Sequence, residues 1–287
     1  MLTKEQLQEK IGNGILLDGA TGSNLMLAGM PRGCCTEQWV LENPDTLVHL
    51  QRQYAEAGSG IIYAPTFQAQ PIALERVGLE KETESVNARL IALSRQAAPQ
   101  ALIAGDITTL SAFCDTWDPA NFDMMVENYR RQIRGLIDGG ADLLAAETLV
   151  YPQDAEAILT AAELEGAGAA VYSFTMQQSG VLFSGTDAVP VLKELEDAGA
   201  AAVGFNCVAA DMMTPYLVSK LSRYVKGPIL CKPNAGNPII GEDGIAHYHM
   251  AEEDFAKIVK ECKEMGAKLL GGCCGTTPKH IAALNNL

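Results

Sequence analysis

Cys273 and Cys274 stand side by side between glycines in LLGGCCGTTPKHI, residues 269–281, and Cys207 closes the earlier stretch VGFNC. Adjacent cysteines rarely bond to each other, because the small ring strains the peptide between them, so their partners lie elsewhere. If Cys207 meets the pair, three thiolates form a soft, tetrahedral-leaning site with a fourth position for water or substrate. That is the donor set of a catalytic zinc. The spacing is not the paired CxxC of a zinc ribbon, so the reading depends on where the fold places each thiol. The flanking glycines free the backbone for unusual angles and close packing, which would help both sulfurs face one ion.

The chain has eight cysteines, at positions 34, 35, 114, 207, 231, 262, 273 and 274. An even count indicates a disulfide framework in a short secreted chain. This one has 287 residues and begins MLTKEQLQEK, without an apolar signal core. The cytoplasm is the expected compartment, where clustered thiols bind metal or do chemistry. Cys34 and Cys35 form a second adjacent pair, in a loop with no third ligand in view. Cys231 lies in an apolar strand and Cys262 on a helical face, as small buried hydrophobes, while Cys114 falls in a loop. His247 and His249, in AHYHM, fall near the mouth as solvent-facing or substrate-shaping residues.

The elements that must position these groups follow from hydrophobic spacing. Short aliphatic runs alternate with stretches whose apolar residues recur three and four apart. Strands are expected at 15–18, 60–64, 102–106, 142–147, 170–174, 201–206, 228–232 and 268–272. Helices are expected at 44–58, 84–97, 122–140, 152–166, 187–199, 213–225, 252–266 and 277–287. Eight such units, undivided by any linker or composition shift, predict a single (β/α)8 TIM barrel over 1–287, a fold of typically ~250 residues. A doubly wound open sheet is the alternative.

In a barrel, catalytic groups collect at the C-terminal strand ends. Asp18, Thr66, Asp106, Glu147, Cys207, Asn234, Cys273 and Cys274 all fall there. Plainer readings exist: Asp18 as a turn residue before Gly19, and Glu147-Thr148 as the start of a helix capped by Thr148. GATGSN lacks the lysine of a phosphate loop.

Composition narrows the class. With 48% apolar and 20% charged residues the chain has a soluble, enzyme-like profile, and its apolar runs stop short of the ~18 residues of a membrane span. A formal charge of −14 and no basic patch argue against nucleic acid as a ligand.

The segments LLDGATGSNL, QYAEAGSGIIYAPTF, DLLAAET, VGFNC, KPNAG and GGCCGTTPKHI, in this order, resemble the homocysteine S-methyltransferase family, over nearly the whole chain. The resemblance implies a homocysteine-binding barrel with Zn2+ on Cys207, Cys273 and Cys274, which act as both metal ligands and catalytic residues. It implies Asp18 and Glu147 as partners of the substrate ammonium. Backbone N–H groups of the DGATGS turn, around Gly19 and Ala20, would receive the carboxylate, and Thr66 and Asn234 complete the expected substrate-binding set. Pro65, in APTF, and the segment GDITTLS depart from the family's usual rim. Residues 232–281 look closer to the homocysteine domain of cobalamin-dependent methionine synthase than to relatives that use S-methylmethionine or betaine. No corrinoid domain accompanies them, so the expected donor is a methylcorrinoid on a separate protein. S-methylmethionine or another sulfonium or ammonium donor is the alternative. Other readings are a noncatalytic zinc-containing docking subunit and a metal-free barrel with redox-active thiols.

Overall fold

Eight short runs rich in Ile, Leu, Val and Ala pair side by side as parallel strands, and the runs between them coil into helices against the outside. The computed structural model describes residues 1–241 and 246–285. The strands are β1 (Ile15–Leu16), β2 (Ile61–Tyr63), β3 (Leu102–Ile107), β4 (Leu143–Leu149), β5 (Ala170–Phe174), β6 (Ala202–Ala209), β7 (Ile229–Asn234) and β8 (Ala267–Leu270). Pairing runs from β2 in sequence to β7, then to β8 and β1, and a parallel bridge between Leu17 and Ile61 closes the circle. The expected barrel is therefore present, and the open sheet is excluded.

The crossover helices are α1 (Pro44–Glu56), α2 (Thr83–Ala97), α3 (Phe122–Asp138), α4 (Pro152–Leu164), α5 (Ala188–Asp197), α6 (Thr214–Ser222), α7 (Glu252–Glu264) and α8 (Pro278–Leu284). Each falls within or next to its expected span. Residues 286–287, expected to end the last helix, lie outside the described residues. No described helix is long and apolar enough to cross a membrane.

Period two along each strand divides the core in two. Inward side chains, among them Leu17, Ile61, Ala104, Leu143, Ala145, Val171, Leu230 and Leu269, fill the barrel interior. A second, larger cluster lies between the strands and the helices. The N-terminal helix Lys4–Ile11 was not expected from spacing, since KEQLQEKI has only two large apolar residues. Those two, Leu7 and Ile11, stand one turn apart and are fully buried against the interior cluster. A reciprocal capping box between Thr3 and Gln6 starts the helix. It seals the end of the barrel opposite the strand C-termini.

The end at the strand C-termini is elaborated more than the spacing predicts. Helices Gly22–Leu27 and Thr36–Glu42 follow β1, a short helix Pro71–Leu74 follows β2, and a hairpin pairs Ile239–Ile240 with Ala246–His247 after β7. These additions wall the mouth where the polar residues collect.

Candidate active site

Above the apolar floor the inward positions become polar. Two residues beyond Ala104 is Asp106, two beyond Ala145 is Glu147, two beyond Val171 is Ser173, and beyond Leu230 come Lys232 and Asn234. The strand period that filled the core thus delivers a ring of polar side chains to the mouth.

Cys207 from β6 meets Cys273 and Cys274, which follow β8. The three Sγ atoms lie within 4.8 Å of one another, with Cys207 and Cys274 4.0 Å apart. All eight cysteines are free thiols. Two non-glycine residues, Thr148 (φ 57°) and Cys207 (φ 54°), adopt the left-handed region, a conformation costing on the order of 1–3 kcal/mol each. They are bonded to each other: Thr148 Oγ1 donates to Cys207 Sγ at 3.8 Å. Asn206 steadies both. Its Oδ1 accepts from Thr148 N–H at 2.8 Å and Ser173 Oγ at 3.0 Å, and its Nδ2 donates to Thr148 Oγ1 at 2.7 Å and to Cys273 Sγ at 3.8 Å. Thr148 therefore belongs to β4 and the sulfur cluster, and does not cap α4.

The glycines of GGCCG supply the expected close packing, at Gly271 and Gly272, and an unusual angle that falls on Gly275 rather than on the cysteines. Neither Cys273 nor Cys274 has a positive φ. Gly271 and Gly272 are small because a Cβ would fall 2.7 Å from Asp18 O and 2.4 Å from Thr276 Oγ1. Gly275 turns the chain at φ 78°, and a Cβ there would enter the Tyr248 ring. Tyr248 thus packs directly against the turn that follows the two cysteines. The neighbouring thiols, Cys207 first and then Cys273, lower the pKa of the Cys274 thiol. The Cys207 thiol, against Cys273 and Cys274 and buried, is pushed up.

Deeper in the mouth, Asp18, Asp106 and Glu147 crowd around Lys232, which is 3% exposed. Lys232 Nζ is 3.0 Å from Glu147 Oε2, 3.7 Å from Asp18 Oδ1 and 4.2 Å from the centre of the Tyr63 ring. Burial opposes its charge, but Glu147 and Asp18 outweigh that and raise its pKa well above the ordinary lysine value. Three acids share this one cation, so burial raises all three carboxyls. Asp18 rises to about 7, with Lys232 and a 2.8 Å hydrogen bond from Tyr63 N–H working against the shift.

The remaining expected contacts differ in what they leave free. Gly19 has no room for a side chain, since a Cβ would lie 2.7 Å from Tyr54 Oη. Ala20 N–H already donates to Thr276 Oγ1 at 3.1 Å, so it is not an open donor for a carboxylate. Thr66 Oγ1 donates to Asp106 O and accepts from Asp106 N–H, both at 2.9 Å, and therefore holds the β3 backbone beneath the site. Asn234 Nδ2 donates to Cys207 O at 3.2 Å, while its Oδ1 is buried without a partner among the described residues.

Cys34 and Cys35 are elsewhere: Cys34 donates to Pro31 O at 3.0 Å and Cys35 to Glu37 Oε2 at 3.2 Å. Cys231 and Cys262 are fully buried in the outer core. His247 and His249 are exposed, their rings stacked 6.3 Å apart. Lys232, Asn206 and Tyr248 were not anticipated as site residues. Lys232 had a signal, since it shares the inward period with Leu230 and Asn234.

The pattern defining the homocysteine S-methyltransferase family matches residues 15–287. A homocysteine S-methyltransferase of Escherichia coli (strain K12) is 29% identical over 94% of both chains. The metallated form of the homocysteine methyltransferase MmuM from Escherichia coli superposes with a TM-score of 0.82 at 27% identity, covering 99% of each chain. A methionine synthase of Mycobacterium tuberculosis is 26% identical over 92% of this chain, which spans 24% of that protein's length. With a matching pattern over nearly its full length and a barrel of the same shape, the chain belongs to the homocysteine S-methyltransferase family.

Proposed function

We propose that this barrel, residues 1–287, binds a zinc ion through Cys207, Cys273 and Cys274 and methylates homocysteine to methionine, with the methyl group delivered by a methylcorrinoid on a separate protein. The convergence of three free thiols at the mouth carries this reading. The donor set fits the ion: Zn–S bonds of ~2.3 Å at tetrahedral angles place sulfurs about 3.8 Å apart, and Cys207 and Cys274 are 4.0 Å apart without metal. When bound, zinc supplies the Lewis acidity that lets an alkyl thiol of pKa ~8.5 ionise at neutral pH.

The chain's own residues do the rest. The acidic pocket receives the substrate ammonium. Asn206 and Thr148 keep the protein sulfurs oriented through their hydrogen bonds. Asn234 adds an unpartnered buried oxygen beside Cys207. Substrate sulfur then attacks the methyl carbon in line, and the broken bond leaves its electron pair with the carrier.

A donor carried on a protein is supported by the surface around the mouth. Leu27, Trp117, Phe183, Met212, Ile239 and Ile240 are all exposed, and all lie in segments that follow barrel strands at their C-terminal ends. Large apolar side chains gathered on one face mark a contact surface. A small sulfonium would need only the interior pocket.

The test is zinc-edge X-ray absorption with and without L-homocysteine, followed by turnover with methylcobalamin or S-methylmethionine. The expected shell has three sulfurs and one lighter atom, becoming four sulfurs on addition, with turnover from the corrinoid alone. An unchanged shell would refute the acceptor. Turnover from S-methylmethionine alone would move the donor to a sulfonium.

Asp18 gives the reaction a pH dependence. It faces Lys232, Glu147, Asp106, Tyr54 and Tyr63, and with a pKa of about 7 it is largely protonated in mildly acidic solution. A substrate ammonium needs the ionised form. The KM for homocysteine should therefore fall as pH rises through about 7 and then level off. Asp18→Asn should retain zinc, raise KM and remove that step. A wild-type pH profile in the variant would take Asp18 out of the substrate site.

A further inference from the structure

The carboxyls of the inner pocket outnumber the cation that serves them. Asp18, Asp106 and Glu147 are each more than nine-tenths buried around Lys232. Glu147 Oε2 is committed to that lysine at 3.0 Å. Asp18 Oδ2 is committed to Tyr63 N–H at 2.8 Å. Of the remaining oxygens, Asp18 Oδ1 and Asp106 Oδ1 are the ones that are fully buried with no hydrogen-bond partner among the described residues. Asp18 Oδ1 has only the longer 3.7 Å approach of the lysine. Thr66 fixes the backbone of Asp106 on both sides, so its carboxyl is held in place although nothing is bonded to it. Buried carboxyls that share one internal cation and keep unpaired oxygens form a site for a second cation.

We propose that Lys232 is an internal ammonium that takes Glu147 and so divides the acidic pocket, leaving Asp18 and Asp106 to hold the ammonium of the substrate amino acid. The inference rests on the homocysteine reading above and refines it. Asp106 is a substrate contact, and Lys232 is a positioning residue. Without Lys232 the substrate ammonium has a stronger partner in the freed Glu147. It shifts there and carries its thiol off the line of attack. A thiol lacking the amino group leaves the two oxygens unpaired, so the same division of the pocket selects amino acid thiols over simple ones.

Calorimetric titration of the zinc-loaded protein with L-homocysteine and with 4-mercaptobutyrate, the same thiol without its amino group, tests this. Wild type should favour L-homocysteine. Asp106→Asn should weaken L-homocysteine by about 10-fold or more, the scale of a hydrogen bond to a charged group, and leave 4-mercaptobutyrate unchanged. A wild-type preference retained in Asp106→Asn would overturn the assignment of Asp106. Lys232→Met should keep or lower the KM for L-homocysteine while kcat falls on the order of 10²-fold, as for a misplaced reactant. An unchanged kcat would overturn the role of Lys232, whereas a variant that does not fold leaves Asp106→Asn to decide. Equal binding of both thiols by wild type would remove the acceptor assignment itself, and this inference with it.

Discussion

Cys207→Ala, Cys273→Ala and Cys274→Ala should each release zinc and lower methyl transfer by on the order of 10³-fold or more. Two losses combine. Without the ion, a thiol of pKa ~8.5 is about 30-fold less ionised at neutral pH. Without the open coordination position, the substrate sulfur is no longer placed, and misplacement of a reactant by about 1 Å costs on the order of 10². The sulfur cluster has no spare ligand: its three Sγ atoms form the one group of three potential ligands found among the described residues. Cys34→Ala and Cys35→Ala should keep full metal content, because those thiols bond to Pro31 and Glu37 instead. Zinc measured by mass spectrometry after gel filtration, alongside the rate of methionine formation, separates the two sets. Metal that followed Cys34 or Cys35 would refute the assignment.

The barrel was legible because its signal is local. Strand β5 was expected at 170–174 and forms at Ala170–Phe174, since AVYSF is an apolar run with no competing reading. Cys207, Cys273 and Cys274 were legible one level up, as thiols at the ends of strands that a closed barrel brings together. What escaped depends on contacts between distant strands. Lys232, read as the end of the run PILCK, points into the barrel because Leu230 and Asn234 do, and only the acids of β3 and β4 and Asp18 make its burial tolerable. Thr148 resembles a cap in sequence, but Asn206 captures its hydroxyl across two strands. Tyr248 stands between His247 and His249 in sequence, yet the tyrosine is the residue whose ring packs on Gly275 beside the cysteine pair. Thr66 has the right place on the rim, yet Asp106 uses both of its hydrogen-bonding sides.

Glu147→Ala should destabilise the fold by about 3–5 kcal/mol, the usual consequence of leaving a buried charge without its partner. Lys232 cannot reach water from where it sits, at 3% exposure above an apolar floor. Glu147 Oε2 is its one hydrogen-bonded carboxylate, at 3.0 Å, and what remains is Asp18 at 3.7 Å and the face of Tyr63 at 4.2 Å. Urea unfolding of the zinc-free protein measures the effect without interference from metal binding. The pH dependence identifies its origin. In wild type the pair raises the lysine pKa, so its contribution is complete at neutral pH and is lost only as pH climbs through that raised value. In the variant the uncompensated ammonium sheds its proton more easily, so the stability deficit should shrink as pH approaches the ordinary lysine value of ~10.4. Replacing both partners, Glu147→Leu with Lys232→Met, should recover most of the stability, because two apolar side chains need no counter-ion. A Glu147→Ala protein as stable as wild type would show that Asp18 alone satisfies Lys232. The ammonium of homocysteine would then have to displace Lys232 from Asp18 in order to bind.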